Sequence, residues 1–378
     1  MREVEVAIVG AGVTGLSIAF HLRERRVGPV VVLERAGVGA GASGVQPGGV
    51  RRQWSTRNHC LLAQQSYEFY VDIAARLEPA TKPALEPCGY LFVAHSAPVL
   101  AQLAANVALQ NEVGIPSEIV EPDRVAELVD GLDSSSLTGA AWCQTDGYFD
   151  KPQSVVEAFG EAACRDGAEI EIAEVREIVR DGAGWRLQHD AGELRAQHVV
   201  LAAGYDSPAL LAPLGIDLPI VKEQRFLFLS RPIRERLLEP LLISHERRFA
   251  AKQLANGRVL ASDLTANGDP LTEQEAWRRT VRDGIEELTP MLSYVAFDLL
   301  IDGFYDTTPD HAEILGPVDG LPGLWLAAGF SGHGFMLAPA VGHALAAWIV
   351  GDDPGEPAAS LVLDRFASGS LEVETQVV

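Results

Sequence analysis

The chain has 378 residues, a formal net charge of −22 and 47% apolar residues. That length allows one large or two interleaved domains with a sizeable core, and the acidic balance argues against a nucleic-acid or anionic-membrane binder. Four scattered cysteines without a CxxC pair indicate neither a disulfide framework nor a metal site, and no apolar run spans a bilayer, because glycines and His333 interrupt residues 324–350.

Residues 4–10, VEVAIVG, read as a buried strand. With a strand this close to the first residue, no secretory leader is expected and a cytoplasmic location is the default. The strand runs into GAGVTG, an apolar helix over 16–22 follows, and a second apolar strand, PVVVLE, ends at Glu34. Together these form the dinucleotide-binding fingerprint in its structural context. Gly10 gives the tight turn, Gly12 lets a pyrophosphate approach, and Gly15 lets the helix pack. Val9, Val13 and Thr14 flank the same turn. Glu34 is placed to take ribose hydroxyls and argues against a 2′-phosphate, which the adjacent Arg35 does not outweigh.

The stretch after Glu34, RAGVGAGASGVQPGGVRRQWS, holds Gly39, Gly41, Gly44, Gly48 and Gly49, which prevent regular structure. An NAD dehydrogenase would return quickly to helix and strand. A long loop of small residues, Ala42 and Ser43 among them, suits a flavin tail running inward past the backbone. FAD is therefore the expected cofactor.

Further along, the pattern predicts a helix over 55–77, a strand in CGYLFVAH, a helix over 98–114, and a short helix from Pro122 that stops at Gly131. A strand, a turn and a long helix from Pro152 come next, then a strand that ends at Val175. A hairpin and an apolar strand over 199–203, ending at Gly204, follow. Residues 219–305 alternate short strands such as RFLFLS and RVLASD with one helix over 272–287. Such βα sequence interrupted by antiparallel-type sequence implies a nucleotide domain in three segments with a β-rich domain inserted twice. Finally, residues 324–328 form an apolar strand, a loop holds Gly329, Gly332 and Gly334, and a helix spans 336–350. Its glycines allow close approach, and its helix start presents free N–H groups and a partial positive charge. The two strand–glycine–helix units would serve one cofactor from opposite ends.

Four motifs in this order, GAGVTG with Glu34, VVLAAGYDSP, YDTTPDHAEILGP and AAGFSGHGFMLAPAVG, resemble the D-amino-acid oxidase superfamily of flavoproteins. The similarity runs over essentially the whole chain and is strongest to the branch of glycine oxidases and sarcosine oxidase β subunits. It implies an α/β fold: a glutathione-reductase-like Rossmann FAD domain (1–84, 140–218 and 318–370) with an inserted substrate domain of antiparallel sheet and helices (85–139 and 219–317), and 371–378 as a tail. It also implies oxidation of the C–N bond of a small amino acid or N-methyl or secondary amino acid, of the sarcosine, glycine or proline type. Hydride transfer to flavin N5 would give an imine that hydrolyses, with O2 or another electron acceptor taking the electrons. Positioning and electrostatics carry most of such catalysis.

The same resemblance assigns roles. Arg51 and Arg52 follow the glycine loop, where a guanidinium would clamp the carboxylate of the amine substrate. Tyr305 and His333 fall in motifs that line the flavin pocket. Ala203, Gly204, Gly329, Gly332, His333, Gly334, Phe335 and Met336 are placed against the cofactor, and Val175 pairs through its backbone with the adenine. Phe249 and Lys252 share a strand expected to face the substrate cavity, while Asp306, Asp310 and His311 are read as structural. Three departures stand out. The flavin-linking cysteine of monomeric sarcosine oxidases falls at Gly303 here, so FAD is expected to be non-covalent. A carboxylate-contacting lysine falls at Met336. A lysine credited with activating oxygen aligns near Val259, which leaves oxidase against dehydrogenase open. The absence of histidine between His95 and His189 removes the covalent-FMN form of a complex, though not a partner subunit or a homo-oligomer. GGVRRQWS also resembles the loop of an assembly factor in this superfamily, so a flavin-bound scaffold protein is the rival reading, with an NAD-dependent dehydrogenase third.

Overall fold

The computed structural model describes residues 2–367, 369 and 371–378. Its first sheet has a parallel core in which Ala168–Ile172, Val30–Glu34, Arg2–Val9, Gly192–Leu201 and Leu324–Ala328 lie side by side. Within these strands, residues 30–33, 6–9, 199–201 and 326–328 are apolar on both faces because both faces are covered. Val6, Ile8, Val30 and Val32 point into a core shared with the helices Val13–Glu24, Pro152–Arg165 and Gly334–Val350, while Ala7, Val9, Val31 and Leu33 point to the hairpin on the other side. That hairpin pairs Val175–Asp181 with Gly184–His189, and Trp185 and Leu187 fill its inner face.

The second sheet has eight strands, largely antiparallel, in the order Leu299–Thr307, Val221–Leu229, Val259–Asp263, Phe249–Gln253, Leu241–Ser244, Tyr90–Ala94, Gly139–Cys143 and Glu118–Val120. The amphipathic helix Pro270–Leu288 covers one face with Trp277, Val281, Ile285 and Leu288. A three-stranded sheet of Gly49–Val50, Gly147–Phe149 and Leu85–Glu86 joins the two parts.

Several expectations need correction. Residues 140–143 pair with Tyr90–Ala94 in the second sheet, not the first, and Ile314–Pro317 pairs with Leu324–Ala328 in the first sheet, not the second. Both are short apolar runs whose partner is decided by packing, which local sequence does not report. The boundary at residue 370 lies outside the described residues. Val175 begins a strand instead of ending one. The glycine-rich loop after Glu34 contains one helical turn, Ala42–Val45.

The helix Gly334–Val350 carries Pro339 in its interior. Proline cannot donate to the carbonyl four residues earlier, that of Phe335. The hydroxyl of Tyr70, fully buried on the helix Arg57–Val71, donates to that carbonyl at 2.5 Å. Ser66, one turn earlier, accepts the N–H of Ala340 at 3.1 Å. The helix is thus pinned from outside at the turn that its own ladder leaves open. Tyr70→Phe, which orphans the Phe335 carbonyl, is expected to destabilise the protein by about 1–3 kcal/mol, read as a lower urea midpoint with an unchanged denaturant slope.

Candidate active site

The carboxyl ends of the parallel strands converge on one crevice, and the strand order reverses there: Val30–Glu34 lies on one side of the first strand and Gly192–Leu201 on the other. In open parallel sheets that is where ligands bind. A cavity of about 550 Å³ occupies it, bounded by the loops after each of these strands and by the second sheet.

At one end the backbone leaves the first strand through Gly10, whose φ is +109° and whose missing Cβ would fall on the carbonyl oxygen of Ala202. Gly15 is bare for a related reason: a Cβ there would strike the carbonyl of Gly10, so the helix Val13–Glu24 seats directly on the turn. Gly12 differs. A Cβ there would meet no backbone, only the Ser43 hydroxyl at 3.1 Å, which accepts the N–H of Val13 at 3.0 Å. A charged group could therefore approach the helix start closely, where N–H groups lack helical partners. The Glu34 carboxylate stands at the end of the second strand, accepting from Ala11 at 2.8 Å and from Ala36 at 3.0 Å. Val9, Gly12, Val13, Thr14, Glu34, Arg35, Ala42, Ser43, Gly49, Val175, Ala203 and Gly204 all line the cavity. Gly15, Gly48 and Gly329 do not; each serves backbone packing, with Gly48 closed against Phe149 and Gly329 against Thr308.

At the other end, residues 329–333 turn from the last parallel strand into the helix Gly334–Val350. Asp306 ties this loop down. Its carboxylate accepts the N–H of Gly329 at 2.7 Å, and its carbonyl accepts that of Ser331, which sits at φ +50°. Burial pushes the Asp306 carboxyl up to about 6, against the pull of the Gly329 and Phe330 N–H groups. Gly332 is bare because the Tyr305 ring lies where its Cβ would be. His333 caps the helix and lines the cavity. Both its ring nitrogens are buried without a hydrogen-bond partner, and burial, then Arg51 and His59, hold its pKa well below the ordinary value. Gly334, Phe335 and Met336 complete this wall.

The two arginines diverge. Arg51 enters the cavity wall, stacked 3.6 Å over the Trp54 ring, with its guanidinium donating to the main-chain carbonyls of Gln53 and Gln376 and its Nε unpartnered. Burial pulls it down to about 10, with Glu374 the largest opposing influence. Arg52 turns away and is absent from the cavity. It pairs with the fully buried Asp146 at 2.9 Å, donates to Gln64 at 3.0 Å and lies 3.7 Å over the Tyr67 ring. Arg52 is a core ion pair, not a substrate clamp.

Phe249 and Lys252 also separate, because residues three apart on a strand face opposite ways. Phe249 packs on Gly284 of the helix Pro270–Leu288, and Lys252 projects into the cavity. There its amine donates to the Pro47 carbonyl and sits 3.8 Å over the Tyr148 ring, and burial lowers it to about 7. Lys252 lies on the strand next to Val259, paired opposite Leu260. Tyr90 and Arg225 are lining residues that sequence reasoning missed. No local motif marks them; only pairing within the second sheet brings them there. Gly303 also lines the cavity, and none of the four cysteines does.

The model of the DAO family, FAD dependent oxidoreductases, matches residues 5–348. The chain belongs to this family. It is similar to 4-methylaminobutanoate oxidase (formaldehyde-forming) of Paenarthrobacter nicotinovorans, 27% identical over 97% of this chain and 46% of that protein. It is also similar to glycine oxidase of Pseudomonas aeruginosa, 27% identical over 92% of this chain and 95% of the other. Among solved structures, L-proline dehydrogenase from P. horikoshii superposes with a TM-score of 0.91 at 26% identity, covering 98% of this chain and 99% of that one. The chain spans under half the length of the first of these relatives.

FAD is accordingly the cofactor, and the residues present fit it. The cradle at Gly12 accepts a group that no side chain could share, and the cavity continues from there to the orphaned ring of His333. Gly12→Ala is expected to leave the fold intact but weaken FAD binding at least about tenfold, since its Cβ would meet no backbone, only the Ser43 hydroxyl, while narrowing the pyrophosphate approach. Gly10→Ala, clashing with backbone, is expected to lower the melting temperature itself. Fluorescence titration of FAD together with thermal unfolding separates the two. Lys252 yields a pH prediction. Its folded pKa is lowered to about 7 from 10.5, so between those values the unfolded chain binds the extra proton and stability rises with pH, by roughly 1 kcal/mol per pH unit. In Lys252→Met that rise is lost, as urea unfolding of the FAD-free protein at pH 7, 8 and 9 will show.

Proposed function

We propose that the protein oxidises the C–N bond of a small amino acid or secondary amino acid, of the glycine, sarcosine or proline type, to an imine that water hydrolyses. The observation that carries this reading is Arg51. It is a buried cation on the cavity wall whose direct hydrogen-bond partners are neutral carbonyls, in a chain whose net charge is strongly negative. A buried charge without an ionic partner in contact is costly unless an anion meets it, and a substrate carboxylate is such an anion.

Bound FAD supplies a two-electron acceptor. The chain's own residues prepare the substrate. Arg51 holds the carboxylate and fixes the orientation of the α-carbon. His333, kept neutral by its burial, offers a ring nitrogen to a bound group without adding charge. Lys252, lowered to about 7, is able to change protonation state near neutral pH. The start of the helix Gly334–Val350 favours negative charge at the same end of the cavity. Tyr90, Phe335 and Met336 keep the site largely apolar. The names of similar proteins, an oxidase of 4-methylaminobutanoate, a glycine oxidase and a proline dehydrogenase, support a C–N bond as the reacting one.

The oxygen-free holoprotein, titrated with glycine, sarcosine, L-proline and 4-methylaminobutanoate, is expected to lose its flavin absorbance near ~450 nm with at least one of them. Arg51→Met should raise KM for that amine about 10–100-fold with a smaller effect on kcat. Retention of full colour with every amine, together with a stable co-purifying protein, would favour the flavin-bound scaffold instead.

A further inference from the structure

Residues 371–378 were expected to be a tail, yet Glu374 and Gln376 are buried and Val378 lines the cavity. Glu374 is fully buried. Its carboxylate accepts from the main-chain N–H groups of Ser55 and Thr56, both at 3.0 Å, and from their hydroxyls at 2.6 and 3.1 Å. Its own N–H donates to the carbonyl of Asp310 at 3.0 Å, and His311 Nδ1 lies 3.1 Å from its carbonyl. With the N–H of Gln376 at 2.8 Å as a fifth donor, this carboxylate is an anchor, because losing it would leave those donors unpaired.

Beyond the anchor, the chain reaches the residues that face the substrate end. The main-chain oxygen of Gln376 accepts from the Arg51 guanidinium, and the Tyr305 hydroxyl donates to the main-chain oxygen of Val378 at 3.2 Å. Val378 lines the cavity and packs on the cluster formed by Phe92, Leu241 and Ile243. The segment thus touches Arg51 and Tyr305 at once, and it is held at Ser55 and Thr56, just beyond Arg51 in the chain.

We propose that residues 374–378 are a positioning strap for the substrate carboxylate: Glu374 anchors it, the Gln376 carbonyl orients the Arg51 fork, and Val378 forms the adjoining wall. This rests on the reading of Arg51 as the carboxylate-binding residue. Contacts made through main-chain oxygens orient the guanidinium without neutralising it, so its charge stays available to a ligand.

The test uses FAD-loaded protein and acetate as a carboxylate probe, its dissociation constant read from the perturbation of the flavin absorption spectrum. Deleting residues 375–378 is expected to weaken acetate at least tenfold while FAD affinity stays within twofold. The shape-conserving Glu374→Gln should weaken acetate about threefold or more, and it decides the matter should the deletion fail to fold. Where an amine reduces the flavin, both changes should raise its KM more than they lower kcat. The proposal is overturned if acetate affinity is unchanged, if acetate leaves the parent spectrum unperturbed, or if acetate and FAD affinity fall in parallel, as a mere brace would give. Should acetate behave as expected while no amine bleaches the parent flavin, the strap stands and the amine-oxidation reading fails.

Discussion

The site depends on one close approach, the crossing of Gly10 over the carbonyl of Ala202. No side chain fits between them, and the backbone on both sides is already committed: Gly10 donates to Leu33 at 2.8 Å, and Ala202 donates to Val9 at 2.9 Å. The crevice exists because three parallel strands end together there, with their following loops forced apart above the sheet. Every feature of the dinucleotide end, from the exposed start of the helix Val13–Glu24 to the Glu34 carboxylate, is placed by that junction. The last parallel strand adds a second loop at the same level, which is why one cavity runs from Gly12 to His333.

Electrostatics then divides the cavity. The buried groups around its far end are tuned by burial more than by pairing: Arg51 and Lys252 are lowered, His333 is held neutral, and the Asp306 carboxyl is raised. Arg52 shows the opposite solution one residue later. It is buried against a carboxylate in contact, Asp146, and has no view of the cavity. Adjacent residues in extended chain point opposite ways, so two neighbouring arginines of identical chemistry become a core ion pair and a cation facing a ligand site. The loop bearing Ser331 is held in a left-handed conformation by Asp306 from the second sheet. The two parts of the molecule are therefore coupled at the place where cofactor and substrate would meet.

Much of this was legible from local pattern. The fingerprint glycines act through contacts within a few residues or with the next strand, so spacing reveals them, and Glu34 follows from its place at a strand end. The helix Pro152–Arg165 begins at the proline that marks a first turn, whereas the helix expected over 272–287 begins two residues earlier, at Pro270, with Asp269 accepting from the N–H of Leu271. The glycine-rich stretch after Glu34 was expected to lack regular structure, but it holds the helical turn Ala42–Val45 and the short strand Gly49–Val50. What failed were judgements about facing. Phe249 and Lys252 were placed together and lie on opposite faces of one strand. Residues 140–143 and Ile314–Pro317 joined the other sheet, since an apolar run of four or five residues carries no information about its partner.

By itself, the sequence determined the cofactor-binding turn, the order of strand and helix, and the family. Those properties reside in backbone conformations that only certain residues permit and in periodicities that a window of residues contains. Only the tertiary structure decided which arginine faces the cavity, that a lysine stands opposite Leu260, and that Glu374 is buried and Val378 lines the cavity. Each is a contact between segments far apart in the chain, such as Glu374 with Ser55 or Arg51 with Gln376. Such contacts are selected by the packing of two sheets against each other, and no local preference encodes them.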